Sequence, residues 1–100
     1  MGAHGATLAP EDVAEIEARR VVAEIVGDAA SRRRARERLG LSLHDVAELC
    51  GLSIRSVWRR EQTDAKGRDL WRLKRGSLET DAGYRYLTFL AKAQGKELPS

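Results

Sequence analysis

The sequence predicts an all-α fold, a small helical bundle organised around two short helices that meet at a tight corner. Three observations predict it. The 100 residues include only two prolines and lack long β-branched runs. Apolar residues recur at helical rather than alternating spacing, and Ser, Thr, Asp and Gly punctuate the periodic segments where caps are needed. One hundred residues make one domain with a modest core, and the balance of 42% hydrophobic to 33% charged side chains is that of a folded chain.

The first nine residues, Gly/Ala-rich, read as a weakly structured tail with no assigned role. Residues 10–27 form an acidic N-terminal helix. Pro10 suits a first helical turn, Glu11 and Asp12 complement the positive end of the dipole, and Ala14, Ala18, Val21, Val22, Ile25 and Val26 share one stripe. Residues 28–97 then form the main domain. Asp28 or Ser31 caps a second helix that runs to Leu39 and is ended by Gly40. Its apolar residues are few, so Arg32, Arg33, Arg34, Arg36 and Arg38 are expected to face mainly solvent or a ligand.

Ser42 followed by Asp45 is close to a capping box. Leu43, Val46, Ala47 and Cys50 trace i, i+3, i+4, i+7, the cleanest amphipathic pattern in the chain. Gly51 supplies the positive φ of a corner, and Ser53 caps a helix over residues 54–62. Residues 63–67 are a turn. Residues 68–76 fit a short helix or a β-wing. A last helix starts at Thr80 or Asp81, with Tyr86, Leu87, Leu90 and Ala91 on its inner face, and ends before Gly95.

Charge is segregated. Residues 1–30 carry two basic and six acidic side chains, residues 31–75 thirteen and six, and residues 76–100 three and three. A basic central segment is the electrostatic footprint expected of a nucleic-acid binder; a solvated arginine face is the plainer alternative. No apolar run is long enough to span a bilayer, no signal peptide is evident at the start, and the lone Cys50 suits a reducing cytoplasm. His4 and His44 lack partnering ligands, so neither a metal nor another cofactor is expected. No nucleophile–base pair, phosphate loop or paired carboxylates argue for an enzyme.

A helix-turn-helix requires a small residue in its first helix, glycine at the corner, a hydrophobe just after it and a β-branched plug in the second helix. Ala47, Gly51, Leu52 and Val57 fill those roles. With this cadence residues 43–61 resemble the helix-turn-helix of the Xre/Cro (lambda-repressor-like) regulators, and residues 86–95 are similar to that fold's closing helix. The resemblance implies a cytoplasmic, sequence-specific regulator of transcription, usually a repressor, that binds double-stranded DNA as a homodimer. It also assigns the contacts. Ile54, Arg55, Ser56 and Arg59 occupy positions that read bases, with Arg55 and Arg59 able to grip guanine. Ser42 and Ser53 are placed for phosphates, Gln62 closes the docking segment, and Trp58 is able to touch a thymine methyl or a sugar. Trp58 and Trp71 are otherwise expected to be structural.

The chain departs from the family at Arg60, where a hydrophobe is usual and where a side chain must snorkel or be exposed. The same corner occurs in winged regulators of the MerR and excisionase kind, in which residues 68–76 would be the wing. A third reading makes the corner a scaffold in a protein-interaction module such as an antitoxin or anti-repressor. The acidic N-terminal helix is expected to pack on the domain and to share in dimerisation.

Overall fold

In the structure, a computed structural model that describes residues 9–71 and 80–99, the chain is an all-α bundle. Five helices are found among the described residues: α1 (Pro10–Val26), α2 (Ala29–Arg38), α3 (Leu43–Cys50), α4 (Ile54–Arg59) and α5 (Asp81–Ala93). None is long and apolar enough to cross a membrane.

Local chemistry sets the helix ends. α1 starts with Pro10 and two acids and stops where Gly27, at φ 54°, donates its N–H to the Ala23 carbonyl. The Asp28 carboxylate accepts from the Ser31 amide at 2.7 Å and caps α2. Ser42 and Asp45 close a full capping box on α3, each side chain accepting from the other's backbone N–H at 3.0 and 2.8 Å. Thr80 caps α5 through the Gly83 amide.

α5 packs against α1, α2 and α3 and forms the middle of the core. Its Tyr86, Leu87, Leu90 and Ala91 are buried, as the spacing anticipates, together with Val22, Ile25 and Val26 of α1, Ala35 of α2 and Val46, Ala47 and Cys50 of α3. The α1 stripe is shorter than its pattern suggests. Ala14 is exposed and Ala18 only half-buried, so packing begins near Val21. Residues 10–17 are all exposed and stand clear of the bundle. The reason is reach: α1 meets α5 only through its C-terminal turns, where the Gln94 side-chain amide donates to the Ile25 carbonyl.

Two expectations need correction. The helix after the corner ends at Arg59, not at residue 62, because Arg60, Glu61 and Gln62 turn away in successive i→i+3 hydrogen bonds. Of residues 68–76, expected as a short helix or a wing, 72–76 lie outside the described residues. What precedes them is a tight loop with one isolated bridge between Thr63 and Asp69, and no strand. The Asp64 carboxylate orders that loop by accepting from the amides of Lys66 and Arg68 and from Arg68 Nε. The tail expected over residues 1–9 lies, apart from Ala9, outside the described residues.

Candidate nucleic-acid interface

The corner is three residues long. Gly51 adopts the left-handed conformation at φ 68°, ψ 35°, a backbone state that costs other L-residues about 1–2 kcal/mol. The Leu52 amide bonds back to the Ala47 carbonyl at 2.9 Å. Ser53 then caps α4, its hydroxyl accepting from the Ser56 amide at 3.1 Å. Ala47 and Val57 are both buried, Val57 completely, so the small residue and the plug lie in the core and set the direction of α4.

The far end of α4 is held by two arginines of α2, and here the sequence reading is overturned. Arg32 and Arg36 do not face solvent. Arg32, at 1% relative exposure, donates Nε to the Arg60 carbonyl at 2.8 Å and Nη1 to the carbonyls of Val26 and Gly27 at 3.1 and 2.9 Å. Its Nη2 is paired with the Asp69 carboxylate. Arg36 makes a bidentate pair with buried Glu61, at 2.8 and 3.0 Å, and donates to the Leu41 carbonyl. This pairing holds the Arg36 guanidinium even more firmly in its charged form, chiefly through the hydrogen bonds to Glu61. The other three arginines of α2, Arg33, Arg34 and Arg38, are exposed as expected.

Arg60 neither snorkels nor sits exposed. Half-buried, it stacks over Trp71 and Tyr86 at 5.1 Å from each ring centroid, while Nη1 donates to the Ser56 carbonyl at 2.9 Å. Trp71 and Tyr86 meet edge to face at 5.6 Å, and Arg32 lies 4.9 Å from the Trp71 ring on top of its hydrogen bonds. A cation–π stack thus occupies the position at which the sequence resemblance leads one to expect a hydrophobe. Trp71 is structural, as anticipated; Trp58 is not, being 46% exposed.

Sequence spacing misses this polar core, though one signal is present. Ala29, Arg32 and Ala35 lie at three-residue steps on α2, so Arg32 occupies the middle of its only buried stripe. An arginine there must be buried and paired.

With the core accounted for, the outward face of α4 is clear. Ile54 and Trp58 form one i,i+4 column and Arg55 and Arg59 the neighbouring one, all four exposed. Arg55 and Arg59 form no ion pair or side-chain hydrogen bond with any described residue. Ser56 is half-buried and its hydroxyl accepts from Ser53 Oγ. Gln62 lies beyond the helix, its carbonyl accepting from the Leu70 amide. Ser42 is exposed, but the Asp45 carboxylate occupies its N–H. The loop after α4 adds Lys66 and Arg68, both exposed cations. Among the described residues no group of His, Cys, Asp and Glu is arranged to hold a metal.

Comparisons with protein-family models, with curated proteins and with solved structures return no match.

Proposed function

We propose that the protein is a sequence-specific DNA-binding regulator of transcription that acts as a homodimer and represses by occluding a promoter. The single observation that carries this reading is the pair Arg55 and Arg59. The inward arginines Arg32, Arg36 and Arg60 are committed to intramolecular partners, whereas these two stand on an exposed helix face without a side-chain partner among the described residues. A guanidinium presented this way can donate two parallel hydrogen bonds to guanine O6 and N7 in the major groove. Ile54 and Trp58 beside them suit the apolar edge of a thymine or a sugar. Lys66 adds charge suited to phosphates, and affinity should fall steeply with salt.

The test begins with selection of bound duplexes from a random library, followed by anisotropy titrations. An enriched motif is expected, and Arg55→Ala and Arg59→Ala should each cost about 1–3 kcal/mol on it, roughly 5- to 150-fold in affinity. Selection without enrichment would overturn the reading.

One observation favours a second reading, a protein-interaction module. Ile54 and Trp58 are exposed together, and Trp with Arg is a usual composition for a protein-binding hot spot. In that case both arginine variants would leave duplex affinity unchanged, while Trp58→Ala would abolish capture of the partner.

A further inference from the structure

Two exposed apolar surfaces play no part in the α4 face. The first is on the free half of α1. Val13 and Ile16 lie one turn apart on the side away from buried Val22 and Ile25, and Ile16 is 53% exposed. Asp12 and Glu17 flank them, and neither is ion-paired with a described residue. The second is a groove of about 440 Å3 walled by Leu39, Leu41, Leu49, Tyr84 and Phe89. Arg85 and Lys92 stand on its rim, both exposed.

We propose that the groove receives the α1 arm of a second copy, and that the two copies exchange arms reciprocally. The surfaces complement each other in kind and in sign: an apolar ridge between acids meets an apolar groove rimmed by Lys92 and by Arg85, whose exposed guanidinium also pairs with Asp81 at 3.1 Å on its own helix. A chain's own arm cannot fill its own groove by folding back. α1 is one continuous helix anchored at its C-terminal turns by Val22, Ile25, Val26 and the Gln94 hydrogen bond. Its first eleven residues, all exposed except half-buried Ala18, project about 16 Å from that anchor. A two-fold axis makes the contact twice. Each arm then has to bury only half of the roughly 1,200–2,000 Å2 that a stable interface needs. The inference rests on the homodimer part of the function proposed above and makes no use of DNA binding.

Sedimentation equilibrium of the full chain tests it. The wild type should be a dimer at micromolar concentration. Asp12→Lys with Glu17→Lys should weaken dimerisation roughly tenfold or more, as should Arg85→Glu with Lys92→Glu, because like charges then face each other. Combining all four in one chain should restore near-wild-type association. Ile16→Asp and Leu49→Asp should each give monomers with an unchanged far-UV circular dichroism spectrum, since every substituted side chain is exposed, and with a melting midpoint lowered only by the lost association. A four-fold variant no tighter than either double variant would overturn the arm exchange, as would a dimeric Ile16→Asp. A wild type that stays monomeric at about 100 μM would remove the homodimer as well, whatever the duplex selection returns.

Discussion

Arg32 places a full charge in the interior of a 100-residue protein, and its surroundings explain why that is tolerated. Three carbonyls and a carboxylate receive its N–H groups, and the Trp71 ring covers it. Those acceptors are the ends of other elements: Val26 and Gly27 close α1, and Arg60 follows the last turn of α4. One side chain thus ties the end of α1 to the end of α4, with its charge complementing both negative dipole ends. Arg32→Met should destabilise the fold by about 3–5 kcal/mol, because it removes the cation paired with Asp69 and the buried donor to the three carbonyls. Arg32→Lys should recover little of that loss, since an ammonium cannot reproduce the planar fork. Urea unfolding midpoints at constant m-value measure both. This is also where the sequence is least legible. Five arginines within seven residues look alike on paper, yet Arg32 is buried, Arg36 is half-buried and three are exposed. The difference lies in Asp69 and Glu61, acids some 25 to 37 residues away that no local pattern links to them.

At the level of the element, the helices are legible because their ends are built from short-range chemistry. Ser42–Asp45 on α3 is the fullest case, and it makes a prediction in two parts. Ser42→Ala should lower stability by about 1 kcal/mol through loss of the cap. The second part concerns pH. Hydrogen bonds from Ser42, the backbone one foremost, hold the Asp45 carboxyl below its ordinary value; Ser31 does the same for Asp28, and the Arg68 amide for Asp64. A depressed carboxyl stabilises the fold above its unfolded value, near 3.9, and loses that contribution as pH falls through the folded value. Thermal midpoints should therefore be flat on the acid side of neutrality and fall below about pH 4. Asp45→Asn should be less stable than the wild type at pH 7, with the gap closing at pH 3. A constant gap from pH 7 to 3 would show that the carboxylate's charge contributes nothing. The end of α4 escapes the same logic. Arg60 and Glu61 are good helix formers, but pairing Glu61 with Arg36 and stacking Arg60 on Trp71 turn the chain off the helix axis. Tertiary contacts override propensity there.

Across the whole molecule, the load-carrying surface and the presented surface are separate sets of residues, and the separation can be tested. α5 is the central support, with Leu90 wholly buried against the other helices, whereas α4 contributes Val57 to the core and turns Ile54, Arg55, Trp58 and Arg59 outward. A fold arranged this way can vary its outward face without altering its interior. Leu90→Ala should therefore cost about 2–5 kcal/mol of stability, from lost burial plus the cavity left behind. Duplex affinity per folded molecule should stay unchanged, because nothing on the α4 face moves. Trp58→Ala should do the reverse: stability within about 0.5 kcal/mol of wild type, as for an exposed position, and a clear loss of duplex affinity. The corner itself couples the two sets. Gly51→Ala meets no backbone, the nearest side-chain atom being Arg85 Nη1 at 3.8 Å, so its cost is conformational. If the left-handed corner aims α4, this variant should lose duplex affinity beyond what its folded fraction explains. Measuring stability and affinity on the same three variants separates the roles: affinity that merely tracked the folded fraction in all three would mean that α4 is not the binding element.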